Sequence, residues 1–374
     1  MLDVFPLPLI WIVAFALGEV LRRQPANTHR WGAVCISVAA LFLGCGVWDG
    51  GFYIALGGSI LLFGKLIERL DGSRRKLAFI VAVLYSCGMI FLFLLLRNYV
   101  LKYFLYLPSL SYLGFRGIAY LTSVYRREPV TLSAATLQIF FFPMLFTGPI
   151  SRVNNFDETR TDYPQVLRRL IAGLAMLTAG FLLKPYIVPQ YILLRGSAAF
   201  IPASQLWISM LATSFELYFT FAGYSHIIIG LGLVLGFQLP ENFNNPYIAT
   251  SITDFWRRWH ISLSFWIRDH VYIPLGGNRY GLLRKCVNLM TAMSICGVWH
   301  GLSLNFLLWW MYHGGLLCCE SICRHYRFGP LSVLPDSMAK VIRIIITFSL
   351  VTFGWLLFFY SVPALRVFLK GMLF

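Results

Sequence analysis

Two histidines sit where hydrophobicity alone has no use for them. His300 lies in Gly297-Val298-Trp299-His300-Gly301, inside the apolar run Leu289 to Leu317 that also holds Asn305 and His313. His260 lies in the stretch Ser251 to Gly277, with Ser262 and Ser264 close beside it. Polar and ionisable groups at membrane depth are costly, and they line a bundle interior, a cavity or a site. An imidazole desolvated by apolar neighbours is neutral near pH 7 and free to accept a proton as a general base. His300 is assigned that role, with Gly297 and Gly301 admitting close approach of a substrate. Asn305, about one and a half helical turns further on, is a candidate hydrogen-bond donor. His313 is about 20 Å from His300 along an unbroken helix, so the two share one centre only if the chain bends. The sequence has no G-x-S-x-G elbow, no Walker A loop and no H-E-x-x-H.

The elements that must hold these groups follow from composition. Of 374 residues, 58% are hydrophobic by type, 17% aromatic and only 12% charged. Soluble domains carry about a quarter charged residues, so this surface faces something apolar, and the fold class is an all-α polytopic membrane protein. The net charge of +16, from 31 Lys and Arg against 15 Asp and Glu, would suggest nucleic acid in a soluble chain. Here the basic residues gather in short gaps between apolar runs: Arg22, Arg23 and Arg30, then Lys65, Arg69, Arg74, Arg75 and Lys76, then Arg279, Arg284 and Lys285. That is the positive-inside pattern, and the expected partner is the lipid bilayer and not nucleic acid. The eight cysteines form no C-x-x-C pair, which argues against a metal or disulfide framework and for packing. Cys318, Cys319 and Cys323 near a span end are the alternative candidates for lipidation.

At about 20 residues per crossing, spans are expected at Val4 to Leu21, Trp31 to Trp48, Gly51 to Ile67, Leu77 to Leu96, Leu132 to Phe146, Leu170 to Leu194, Leu206 to Phe237 and Val341 to Phe359. The run Val287 to Cys323 suits one bent helix or two. The first span lacks a basic leader and reads as an uncleaved helix. Trp48-Asp49-Gly50-Gly51 reads as the tight joint of a hairpin. Tyr99 to Tyr125, with Pro108, Gly114 and Arg116, reads as broken, and Arg152 to Arg169 as an interfacial polar segment. The total is nine to eleven membrane helices in a single membrane domain over residues 1–374, with a core at 138–315, N-terminal helices over 1–137 and a C-terminal region over 316–374.

Ser251 to Gly277 fits neither a span nor a soluble loop. Ser251 with Asp254 resembles a capping box, and Phe255, Trp259, Leu263 and Trp266 recur at steps of 4, 4 and 3 to give one apolar stripe. An interfacial helix that merely anchors the protein would explain the stripe but not His260, Ser262 and Ser264. Upstream, Gly232 and Gly236 form a small-xxx-small pair suited to helix packing. Pro240 to Tyr247 forms a turn-rich loop leading into the amphipathic stretch.

Together these segments resemble the membrane-bound O-acyltransferase family, in its bacterial branch of alginate O-acetylation and teichoic acid D-alanyl transfer. The matching residues are Tyr218 to Gly236, Pro240-Glu241-Asn242-Phe243 with Pro246-Tyr247, Asp254 to His260 with Ser262-Leu263-Ser264, Tyr272 to Arg279, and Gly297 to Gly301. Phe142-Pro143 with Gly148-Pro149-Ile150 matches more weakly. The resemblance implies a ring of helices around a central tunnel, where a cytoplasmic acyl thioester meets a hydroxyl from the other side. It makes His300 the catalytic histidine and places His260 near the same tunnel. One departure stands out: the branch usually reads G-Y-S-D where this chain has Gly223-Tyr224-Ser225-His226.

The function so implied is transfer of an acyl group, with acetyl the first choice, to an exported polysaccharide in the bacterial cytoplasmic (inner) membrane. The donor is acetyl-CoA or another acyl thioester, with no tightly bound cofactor and no metal. Trp299, Asn305, Ser262 and Ser264 are candidate substrate contacts. Arg257, Arg258 and Arg279 are candidates for holding donor phosphates, although bilayer headgroups suit them equally. A periplasmic or extracellular relay protein is a further expected partner. D-alanyl transfer to teichoic acid, a transporter or flippase of envelope cargo, and a non-catalytic scaffold stay open as alternatives.

Overall fold

The computed structural model describes residues 20–21, 23–100, 109–145, 148–156, 163–187, 202–328 and 335–373. Among these residues every regular element is helical, with one isolated β-bridge between Phe243 and Trp259. Five helices are long and apolar enough to cross a membrane: Ala26–Arg69, Gly72–Leu92, Tyr163–Tyr186, Ala203–Val234 and Asp336–Phe359. The expected first span, Val4 to Leu21, lies outside the described residues except for its last two. The chain divides into two compact units, Met1–Gly173 with Tyr224–Glu241, and Leu174–Gly223 with Asn242–Phe374.

The first unit opens with α1, Ala26–Arg69, which is interrupted at Gly46 (φ 80°, ψ 172°). The turn expected at 48–51 therefore falls earlier, at a residue whose missing Cβ admits positive φ. Helix α2 spans Gly72–Val100, and α3 spans Ser109–Tyr125. The expectation of a broken segment fails from Ser109 onward, while 101–108 lie outside the described residues. In α3 the glycines seat neighbours instead of ending the helix: a Cβ on Gly114 would stand 2.5 Å from Ile90, and one on Gly117 2.8 Å from Ile60. Arg116 on the same helix is fully buried, donating from Nη2 to the Tyr53 hydroxyl at 2.7 Å.

Helix α4, Leu132–Phe140, is capped by Thr131 and stops ahead of Pro143. The expected span to Phe146 is thus cut short by a ring that cannot donate to the helical ladder. Helix α5, Tyr163–Leu183, begins within the segment expected to be interfacial. The core of this unit is aromatic. Phe141, Phe156 and Phe237 meet edge-to-face at 5.3 to 5.8 Å, and His29 stacks on Phe237 at 5.0 Å while donating from Nε2 to the Leu235 carbonyl at 2.8 Å.

Helix α6, Ala203–Val234, gives its first part to the second unit and its last turns to the first. The second unit continues through α7, Ile252–Arg258, and α8, Ile261–Ile267, to a π-helical turn at Arg268–Tyr272. It is completed by α9, Gly281–His300, α10, Leu304–His325, α11, Asp336–Phe359, and α12, Val362–Leu373. The run 287–323 thus resolves into two helices, separated at Gly301.

Candidate active site

His260 sits at a break and not within a helix. Ser251 caps α7 as its spacing predicts, accepting the Asp254 N–H at 3.1 Å, but the single helix implied by the apolar stripe does not form. Trp259 is extended, and His260 takes a left-handed conformation (φ 42°, ψ 54°) before α8 begins. The preceding loop causes the break. Asn244 N–H donates to the Arg258 carbonyl at 3.0 Å, and Ile261 N–H donates to the Asn242 carbonyl at 2.9 Å. Backbone partners supplied from 242–244 thus replace the helical bonds that a continuous helix would have made. The stripe is buried all the same, with Phe255, Trp259, Leu263 and Trp266 each less than a tenth exposed.

The Asn242 side chain completes this joint. Its Oδ1 accepts from the Ser262 hydroxyl at 2.8 Å and from the Ser262 N–H at 3.4 Å, and it lies 3.0 Å from His260 Nδ1. His260 is 3% exposed, and its Nε2 has no hydrogen-bond partner. Burial, and to a smaller degree the charge of His300, holds this imidazole down at about 3, so it is neutral at pH 7.

An aromatic path leads from there to His300. Phe221 meets His260 edge-on at 4.9 Å, Trp299 lies 6.1 Å from it, and the His300 ring follows at 4.5 Å from Trp299. His300 is half-buried at the end of α9, against Phe358 at 4.7 Å and Trp309 at 5.4 Å. Trp309 on α10 also meets His313, one turn further along the same helix, at 5.2 Å. His313 is fully buried, and neither of its ring nitrogens has a partner.

Several sequence expectations change at this point. Asn305 is not on the helix of His300, and its amide is committed elsewhere: Nδ2 donates to the Phe358 carbonyl at 2.8 Å, and Oδ1 accepts from Ser303 at 2.6 Å. Gly297 and Gly301 make room for Trp310 and Phe306 of α10. Ser262 is bound to Asn242, and Ser264 donates to the Trp259 carbonyl at 3.3 Å, so both hydroxyls secure the break. Arg258 is paired with Asp254 at 2.8 Å, whereas Arg257 and Arg279 are exposed. Trp299, a candidate substrate contact, lies against both histidines. Sequence reasoning did not single out Asn242, Phe221, Trp309 or Phe358; Asn242 stands in the Pro240-Glu241-Asn242-Phe243 motif and Phe221 in the matching stretch Tyr218 to Gly236.

In the first unit, the departure at His226 has a local counterpart. Arg169, which can only donate, reaches His226 Nδ1 at 3.0 Å and also pairs with Glu241. Arg169 therefore meets an imidazole at position 226 and a carboxylate at position 241.

The sequence profile of the membrane-bound O-acyltransferase family matches residues 122–362, a range that includes Asn242, His260 and His300. The chain belongs to the membrane-bound O-acyltransferase family. It is 33% identical over 343 residues to a probable alginate O-acetylase AlgI of Pseudomonas syringae pv. tomato, covering 86% of this chain and 64% of that relative. Identity to the peptidoglycan O-acetyltransferase of Helicobacter pylori is 33% over 302 residues, 71% of this chain and 56% of the relative. Identity to the teichoic acid D-alanyltransferase of Bacillus subtilis is 31% over 278 residues, 67% of this chain and 68% of the relative. The chain spans 50% to 64% of the length of the alginate-type relatives it matches. As a membrane-bound O-acyltransferase family member it carries both histidines of its candidate site in one compact unit.

Proposed function

We propose that this chain is a membrane O-acyltransferase that moves an acyl group, acetyl in the first instance, from a thioester donor to a hydroxyl of an exported polysaccharide. The observation that carries the reading is that two imidazoles, His260 and His300, both lie against Trp299, at ring-centroid distances of 6.1 and 4.5 Å. The names of the relatives supply the substrate class: two transfer acetyl groups to alginate or peptidoglycan, and one transfers D-alanine to teichoic acid.

In the proposed step the acceptor oxygen attacks the thioester carbonyl as His300 takes the hydroxyl proton. The carbon–sulfur bond then breaks, and His300 returns the proton to the departing thiolate, so the imidazole ends neutral. His260 orients the acceptor. Acetyl-CoA is the proposed donor, with the exposed Arg257 and Arg279 available to its phosphates. The bacterial inner membrane, a ring of nine to eleven helices around a tunnel, and an extracytoplasmic relay protein belong to the same proposal. Incubating purified protein with labelled acetyl-CoA and deacetylated alginate tests it. Label should enter the glycan with the wild type and not with a folded His300→Ala variant, and equal transfer by both would refute the assignment.

A further inference from the structure

We propose that Asn242 is a positioning residue for acyl transfer, fixing His260 as the Nδ1–H tautomer so that Nε2 can only accept a hydrogen bond from the acceptor substrate. The inference rests on the reading that His260 and His300 flank the reacting groups.

The tautomer follows from donors and acceptors. An asparagine amide and an imidazole can each present either a donor or an acceptor, so their contact alone leaves the proton unplaced. The Ser262 backbone N–H removes the ambiguity. It can only donate, and it faces the same Asn242 atom as His260 Nδ1 does, which makes that atom Oδ1. The Ser262 hydroxyl donates to it as well, at 2.8 Å. Nδ1 therefore carries the hydrogen, and in a neutral ring Nε2 holds the lone pair. Asn242 cannot swing away, because it is fully buried and its own carbonyl accepts the Ile261 N–H at 2.9 Å.

This constrains what can meet His260. Nε2 is buried without a partner, and a thioester carbonyl or a phosphate oxygen has no hydrogen to give it. A hydroxyl has. A glycan offers a second hydroxyl beside the reacting one, so His260 takes that neighbouring O–H while the reacting proton goes to His300. Asn242 thereby leaves His260 able to accept a hydrogen bond from an acceptor hydroxyl, the role proposed for it.

The test compares wild type, Asn242→Ala, Asn242→Asp and His260→Ala in proteoliposomes, using labelled acetyl-CoA and deacetylated alginate. Samples with 15N-labelled histidine, assigned by difference against His260→Ala, are read by solid-state NMR. Wild-type His260 should show the Nδ1–H tautomer. Asn242→Ala should lose it and drop on the order of 10²-fold in kcat/KM, since holding the wrong tautomer costs a catalytic histidine up to about 10⁴-fold. Asn242→Asp keeps an acceptor facing Nδ1 and should retain the tautomer and most of the activity. Its negative charge favours imidazolium, so the acid limb of its kcat/KM profile should move to higher pH.

An Nε2–H signal in the wild type, or wild-type kcat/KM in folded Asn242→Ala, overturns the inference. If Asn242→Ala fails to fold, an unmoved acid limb in Asn242→Asp overturns it equally. Full activity in His260→Ala instead overturns the functional reading on which it rests.

Discussion

Gly297→Ala tests whether packing of α9 on α10 sets the position of His300. Gly297 lies one turn before His300 and is buried; an added Cβ would stand 2.5 Å from Trp310 Cδ1, 2.8 Å from its Cβ and 2.9 Å from its Cγ. Carbon atoms pack at about 3.5–4.0 Å, so relief needs a shift of about 1 Å. A rotamer change cannot supply it, because Trp310 Cβ is fixed to the backbone of α10. The two helices must part. Overpacking of this kind costs about 1–3 kcal/mol, and alanine returns about 1 kcal/mol of helix propensity over glycine. The net loss is therefore small, up to about 2 kcal/mol, while the chemistry suffers more, since about 1 Å of misplacement can cost about 10²-fold in rate. Gly315→Ala is the control, because nothing lies within 4 Å of the position of its Cβ. Thermal unfolding in detergent and the acetyl-transfer assay should show Gly297→Ala slightly destabilised and about 10²-fold slower, and Gly315→Ala as stable as wild type or more so at full rate. If the two variants behave alike, the helix contact does not set the histidine.

Three further outcomes follow from named groups. Burial lowers the His260 pKa from 6.5 to about 3, so the unfolded chain takes up a proton that the folded chain refuses; stability is full above about pH 6.5 and falls as pH drops toward 3. Between pH 7 and 5 the loss is about 2 kcal/mol, and the same pH dependence in His260→Asn, by thermal unfolding, would contradict the assignment. Gly354→Ala would place a Cβ 2.4 Å from Nε2 of the fully buried His313, costing about 1–3 kcal/mol. A double-mutant cycle with His313→Ala should show strong coupling, and simple additivity would rule the clash out. Ser251→Ala removes the cap of α7 and should cost about 1 kcal/mol; an unchanged melting temperature would show that the cap contributes nothing.

Composition and hydropathy were enough to read the membrane class and the helices Gly72–Val100, Ala203–Val234 and Asp336–Phe359 to within a few residues, because long apolar runs carry their own signal. The errors cluster at glycines. Gly114 looks like a break in a one-dimensional string, yet it faces Ile90 from another helix. Gly46, unremarkable beside the Trp48 to Gly51 cluster, is where the backbone leaves the helical region. Periodicity likewise found the buried face of 255–266 but not the break inside it, since the three-dimensional cause lies in the loop 242–244, outside the window. His260 and His300 could be singled out because ionisable groups in apolar runs are rare. Asn242 stands in a matching motif but could be given no role there, since an asparagine in a turn-rich loop is ordinary until its hydrogen-bond partners are known.

That break bears on why a histidine occupies position 260. A non-glycine residue with φ near 42° carries a backbone cost of about 1–3 kcal/mol, and glycine or asparagine would carry less. The joint offsets the cost with two inter-segment backbone bonds and three donors on one Asn242 oxygen. Two of those donors, the Ser262 N–H and hydroxyl, would remain if His260 were replaced by glycine, and the strain would vanish. Backbone strain by itself therefore favours a different residue here. The imidazole is retained against that preference, with one nitrogen tied to Asn242 and the other buried without a partner beside Phe221 and Trp299. An unpaired buried acceptor costs a further 1–3 kcal/mol or so. A residue with both of these local costs fits the proposed role, in which Nε2 accepts a hydrogen bond from a substrate hydroxyl.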